Sequence, residues 1–318
     1  MPSLKKASLN KPLWITIKLV VLVLLVGFIC LKLNKSRNVH EEMWQGIWGV
    51  FREEHKTLLF VILLMPFNWG LEAVKWKALT SPLIKMKFLK ALEAVLTGLS
   101  LGFITPHGIG DYLGRIMQND AKGRFRLIGA VMLGRICQMI PTALFGLIGI
   151  YYFFKDLKLV FYITLATLFI SIILYMIAKS LSKKNNSLGF FRKLRFYTGM
   201  ITEYRTRIII QVIGLSMARY VVFAFQFLII LKLFLPDLNI WVGFAGVTWI
   251  LFMKSVLPTF NFLSDLGVRE FSAVYFFDIY QVDLISVISA SLVIWIINIL
   301  IPSIVGAPFS LKMKLQTK

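Results

Sequence analysis

Apolar residues run along this sequence in long blocks, and polar residues collect between the blocks. Predominantly apolar runs at 14–33, 57–76, 127–150, 159–178, 208–231 and 284–307 each come close to the roughly 20 residues that a helix needs to cross about 30 Å of hydrocarbon. Two further segments, 88–118 and 241–277, are apolar but broken in the middle. Thr105-Pro106-His107-Gly108 interrupts the first, and "LPTFNFLSDLGVRE", from Leu257 to Glu270, interrupts the second. The eight segments predict an all-α, polytopic integral membrane bundle with residues 1–318 as a single membrane domain. Only helices satisfy their own backbone hydrogen bonds segment by segment inside lipid.

Composition agrees with this reading. The sequence is 58% hydrophobic and 14% aromatic over 318 residues, against the roughly 45–50% apolar content of a soluble domain. The run at 14–33 is too long for a signal-peptide core and is expected to stay as a helix. Cys30 and Cys137 lie far apart inside apolar runs, so no disulfide framework is expected. His40, His55 and His107 show no metal-ligand spacing, and neither a metal nor another cofactor is expected.

The formal charge of +21 changes the picture through its placement. Lys5, Lys6 and Lys11 precede the first run, and Lys75, Lys77, Lys85, Lys87 and Lys90 fill 75–90 without an acid. Lys122, Arg124 and Arg126 crowd 119–126, eight bases face Glu203 alone across 179–207, and Lys312, Lys314 and Lys318 lie in the tail. The connections at 34–56, 151–158, 232–240 and 278–283 are nearly neutral or acidic. The positive-inside rule puts every basic connection, and both termini, on the cytoplasmic side of a cell (inner) membrane. This is a topology signal, and it excludes a nucleic-acid partner, which would need a folded basic module. The basic loops, 179–207 above all, either only orient the chain or also hold anionic lipid headgroups.

That topology makes 88–118 a re-entrant hairpin, because its two flanks are both cytoplasmic. Pro106, Gly108 and Gly110 shape its turn, and His107 is a turn residue. The segment 241–277 behaves the same way from the outside, with Pro258 and Gly267 in its interruption. Each hairpin is flanked by full spans, so 57–150 and 208–307 read as two halves of an inverted repeat, six full spans plus two hairpins in all. Transporters with this architecture place their substrate near the midplane, between the halves.

Ionisable groups inside the bilayer are costly and mark function when they are not simply paired. Asp111 and Arg115 lie four apart and can pair on one helix face. Asp111, and Ser264 or Asp265 in the second hairpin, are good amino-terminal caps for returning half-helices. Such helix starts attract anions, and Arg115 and Arg269 suit a lipid phosphate as bidentate partners. The alternative is structural: Asp111 and Asp265 only cap, and Arg115–Asp111 and Arg269–Glu270 are closed pairs. Arg135 and Arg219, deep in their spans, line a substrate path or neutralise Glu93 or Glu72. Lys254 belongs with them.

"ITPHGIGDYLGR" and "LPTFNFLSDLGVREF" resemble the two signature stretches of the flippase-like family typified by the transmembrane region of lysylphosphatidylglycerol synthases. In that family a P-x-x-x-G-E-x-x-R type motif is followed in the second half by a P-x-x-G-G-x-G-x-R-E type motif. Here Asp111 stands where glutamate is usual, Arg115 comes one residue late, and Ser264 and Asp265 stand where glycine is favoured. The likeness spans about 14–307 and does not include the synthases' soluble aminoacyl-transfer domain. It implies a membrane protein that translocates, or assists in processing, a lipid with an anionic or polar headgroup: a phospholipid, an aminoacyl-lipid or a lipid-linked glycan. The alternatives are a non-catalytic subunit that partners a lipid- or glycan-modifying enzyme, and a lipid-linked transferase. "GIGD" at 108–111 matches the G-x-G-D of intramembrane aspartyl proteases, but Asp111 is the first aspartate in the sequence and no Tyr-Asp occurs. Without a second carboxylate to share its proton, that chemistry is excluded. A transporter or accessory protein is therefore expected rather than an enzyme.

Overall fold

The computed structural model describes residues 39–105, 109–117, 124–156, 158–159, 162–163, 166, 204–257 and 262–311. The apolar runs at 14–33 and 159–178, nearly all of the basic loop 179–207, and Pro106, His107, Gly108 and Pro258 lie outside the described residues or almost wholly so. Helices make up the described structure: α1 (Val39–Glu53), α2 (His55–Thr80), α3 (Phe88–Ile104), α4 (Ile109–Met117), α5 (Arg124–Phe154), α6 (Thr206–Phe234), α7 (Ile240–Val256), α8 (Phe262–Asp278), α9 (Leu284–Trp295) and α10 (Ile301–Leu311). α9 passes into α10 through a π-helical turn at Ile296–Leu300. Among the described residues four helices are long and apolar enough to cross a membrane, His55–Thr80, Leu127–Phe154, Thr206–Phe234 and Leu284–Ser310, and Ile240–Val256 is a shorter apolar helix. The protein is a multi-pass membrane protein.

Both interrupted segments resolve into two helices packed on each other, α3 on α4 and α7 on α8. At 17 residues, α3 extends about 26 Å, short of the hydrocarbon thickness, and the nine residues of α4 extend about 14 Å. Glycines at four-residue spacing set the contact between them. A side chain at Gly114 would come within 2.5 Å of the Gly98 backbone, and one at Gly110 would overlap the Leu101 carbonyl. The pairings 98 with 114 and 101 with 110 run in opposite directions, so α3 and α4 are antiparallel, with small residues letting the backbones touch. Thr105 closes the turn: its hydroxyl donates to the Leu101 carbonyl at 2.8 Å and accepts the Gly110 N–H at 2.7 Å.

Each of these two helix pairs also packs on a helix far from it in sequence. α3 packs against α10, where a side chain at Gly306 would overlap the Leu96 carbonyl, and α7 packs against α5, where Gly146 and Gly149 admit Phe252 and Trp249. α2 and α6 pack together between them. One buried apolar cluster joins Phe227, Ile230, Trp249, Phe276, Phe277 and Ile294. The other joins Trp69, Trp76, Leu79, Leu127, Leu133 and Val212.

Two sequence expectations need correction. The segment 34–56 reads as a connection because its charges break the apolar run, yet residues 39–53 form α1, whose apolar positions recur at helical spacing. Lys75, counted with the basic connection 75–90, lies inside α2 and is only 3% exposed, because the span continues to Thr80.

Candidate functional site

Polar side chains converge where α2, α4, α5 and α6 meet. On α2, Asn68, Glu72 and Lys75 recur at intervals of four and three and therefore share one face of an otherwise apolar span. Glu72 is 3% exposed and is held by three cations. Its Oε1 accepts from Arg115 Nη1 at 2.9 Å, and its Oε2 lies 2.7 Å from Arg219 Nη1 and 2.6 Å from Lys75 Nζ. Arg115 reaches back along α4, with Nε donating to Asp111 Oδ1 at 2.7 Å. The other oxygen of Asp111 accepts from Arg135 Nη2 on α5 at 3.1 Å.

Neutral groups complete the cluster. Lys75 Nζ donates to Gln138 Oε1 at 3.1 Å, and Arg219 Nε donates to Asn68 Oδ1 at 3.2 Å. Asn68 Nδ2 reaches Asn298 Oδ1 at 3.4 Å, and Trp69 Nε1 donates to the Asn298 carbonyl at 3.1 Å. Asn298 sits in the π-helical turn, a local irregularity often found at functional sites. Aromatic faces cover three of the cations: Arg115 over Trp76 at 5.5 Å, Arg219 over Trp69 at 4.8 Å and Arg135 over Tyr112 at 4.6 Å.

Four cations thus share two carboxylates. Two buried donors beside them, Trp76 Nε1 and Asn298 Nδ2, have no hydrogen-bond acceptor among the described residues. The cluster grades outward as well. Lys75 and Glu72 are deeply buried, the Arg219 side chain is 21% exposed, and that of Arg135 is 49% exposed. Chemically, this is a buried, donor-rich, positively charged site with one accessible arginine. It suits an anion with several acceptor oxygens.

The structure brings Asp111, Arg115, Arg135 and Arg219 together, and it leaves Arg269, Glu270 and Lys254 out of the cluster. Arg269 and Glu270 form their own buried pair on α8, Nη2 to Oε1 at 3.0 Å, and Arg269 Nε has no acceptor among the described residues. Lys254 lies in the last turn of α7. Gly110 and Gly267, expected as turn residues, lie instead within α4 and α8, because each returning helix begins before its glycine. The side chains of Ser264 and Asp265 lie outside the described residues. Asp111 does not cap α4. As the third residue of that helix it points to the two arginines, and Thr105 takes the Gly110 N–H. Arg219 pairs with Glu72, whereas Arg135 pairs with Asp111 and not with either glutamate.

Sequence reasoning missed Lys75, Asn68, Gln138 and Asn298, and it treated Glu72 only as a neutralising partner. The available signal was the repeated polar position on α2, since three such residues on one face of a lipid-spanning helix need polar company. Among the described residues, no three His, Cys, Asp or Glu side chains gather as metal ligands would.

Among curated proteins the sequence has no match. The family model for the lysylphosphatidylglycerol synthase TM region matches residues 15–306. With nearly the whole sequence covered, and with both interrupted motifs folded as paired helices, the chain belongs to the lysylphosphatidylglycerol synthase transmembrane-region family.

Proposed function

We propose that this protein is a flippase-like transporter that carries an anionic, polar-headgroup lipid across a cell (inner) membrane. The observation that carries the reading is the largely buried cluster in which, among the described residues, the cations Lys75, Arg115, Arg135 and Arg219 pair with Glu72 and Asp111. The excess positive charge and the unmatched donors at Trp76 and Asn298 favour a phosphate-bearing headgroup, which supplies both charge and acceptors. Arg135, the most exposed of the four cations, meets the headgroup first.

An inverted repeat of 57–150 and 208–307 supports the same reading. Exchanging α2 with α6, α3 with α7, α4 with α8, and α5 with α9–α10 maps the main helix contacts onto one another. With the basic connections and both termini cytoplasmic, α2 runs inward and α6 outward. The hairpin α3–α4 then enters from the cytoplasm and α7–α8 from the outside. In this arrangement Arg269 and Glu270 form the counterpart of Arg115 and Asp111 and contact the headgroup from the opposite face.

The test is transport in proteoliposomes with fluorescent phosphatidylglycerol. Wild-type protein accelerates its crossing, and Arg115→Lys combined with Arg269→Lys, which keeps the buried charges but loses the bidentate guanidinium fork, removes most of the acceleration while the protein stays folded in detergent. Equal crossing with wild type and the double variant overturns the site. A chemically changed lipid in the extract would assign a transferase instead, and co-purification with a lipid-modifying enzyme without any crossing would assign an accessory subunit.

A further inference from the structure

We infer that α1 is a membrane-surface helix that lies in the headgroup layer of the outer leaflet, anchored by Trp44, Trp48 and Phe51. At roughly 100° per residue, α1 divides into three sectors, each matched to a different medium. Met43, Ile47 and Val50 are partly buried on one side. Ile47 packs against the apolar cluster around α6 and α9, and the backbone at Gly46 approaches the Phe234 ring. Glu41, Glu42, Gln45, Arg52 and Glu53 occupy an exposed polar sector.

Between these two lie Trp44, Trp48 and Phe51, within an arc of about 60°. They are 62%, 61% and 46% exposed, and no protein surface covers them among the described residues. Large aromatic residues left open between a packed side and a charged side fit the boundary between hydrocarbon and water, where Trp is enriched.

Position selects the occupant. Only Glu54 separates α1 from α2, and the lower part of α2 exposes Leu59, Phe60 and Leu63. The aromatic sector therefore lies next in sequence to a span whose first turns carry large exposed apolar side chains. α1 also packs on α6 and α9, and its Gly46 meets Phe234, the last residue of α6, so it lies toward that end of the bundle. That end carries the neutral or acidic connections 232–240 and 278–283. The polar sector of α1 is acidic on balance, so its attachment relies on buried aromatic area and not on attraction to anionic lipid. Its depth is therefore insensitive to salt, unlike that of a basic surface helix.

The experiment uses the full chain in vesicles of phosphatidylethanolamine and phosphatidylglycerol, with spin labels on single cysteines at Trp44→Cys, Trp48→Cys and Gln45→Cys after Cys30→Ser and Cys137→Ala. Labels at 44 and 48 should collide with oxygen far more than with a water-soluble nickel complex, at a depth of about 5–10 Å. The label at 45 should show the reverse, and neither pattern should move with salt. In parallel, brominated lipids should quench wild-type tryptophan fluorescence more than that of the Trp44→Phe/Trp48→Phe variant, a comparison that needs no cysteine. Equal exposure of 44, 45 and 48 to the nickel complex, or no loss of quenching in the double-phenylalanine variant, overturns the proposal. So does shielding of 44 and 48 from both reagents with cross-linking between copies, which would make the aromatic sector a protein interface.

Discussion

Glu72 holds three cations with two oxygens, and its distances to Arg115, Arg219 and Lys75 all fall between 2.6 and 2.9 Å. Removing that carboxylate leaves three positive charges buried side by side, and breaking a buried ion pair from one side costs about 3–5 kcal/mol. Glu72→Gln should therefore lower the thermal midpoint in detergent far more than Asp111→Asn, whose carboxylate is 18% exposed. Equal midpoints would show that Glu72 is not the charge centre. Arg135 tests the opposite property. Its side chain is half exposed, so Arg135→Ala should change stability by less than about 1 kcal/mol yet, under the proposed function, slow lipid crossing in the proteoliposome assay. Unchanged crossing would remove it from the path. The Asp111–Arg115 pair was legible from its four-residue spacing, and Arg269–Glu270 from adjacency. Arg219 was one of the cations the sequence offered to Glu72, but Arg115, 43 residues away, was not.

Among the elements, the α3–α4 hairpin depends on what its glycines lack. A Cβ at Gly114 meets the Gly98 backbone at 2.5 Å, so the helices must separate before any larger residue fits. Gly114→Val should destabilise by at least the roughly 1–3 kcal/mol typical of overpacking and should disturb Asp111 and Arg115 on the same helix. Gly214→Ala on α6 is the matched control. Nothing lies within 4 Å of a Cβ there, and replacing a helical glycine by alanine stabilises by roughly 0.5–1 kcal/mol. Detergent melting curves of the two variants should move in opposite directions, and a shared direction would show that the glycine contact is not limiting. The break in each hairpin segment was readable from proline and glycine. The closeness of the two arms was not, because a glycine marks permission for contact without naming the partner.

For the whole molecule, the proposed inverted arrangement makes a prediction about sides. Asp237 and Lys85 are both exposed, the first between α6 and α7 and the second between α2 and α3. In intact cells Asp237→Cys should react with a membrane-impermeant maleimide, and Lys85→Cys should react only after permeabilisation. The reverse pattern would invert the topology, and labelling of both from one side would abolish the inverted repeat.

Length and apolarity alone determined that this chain is a multi-pass helical membrane protein, because the bilayer sets span length and leaves the backbone no other partner. The position of both interruptions followed from their clustered turn residues, although a lone proline does not suffice, since Pro66 and Pro141 stay inside α2 and α5. Tertiary structure decided which polar residues meet. Glu72 gathers charges from α2, α4 and α6, and α1 packs one side on the bundle while its aromatic side stays exposed. A buried charge needs a partner within a few ångströms, and sequence separation carries no information about which distant residue the packing of helices will deliver there.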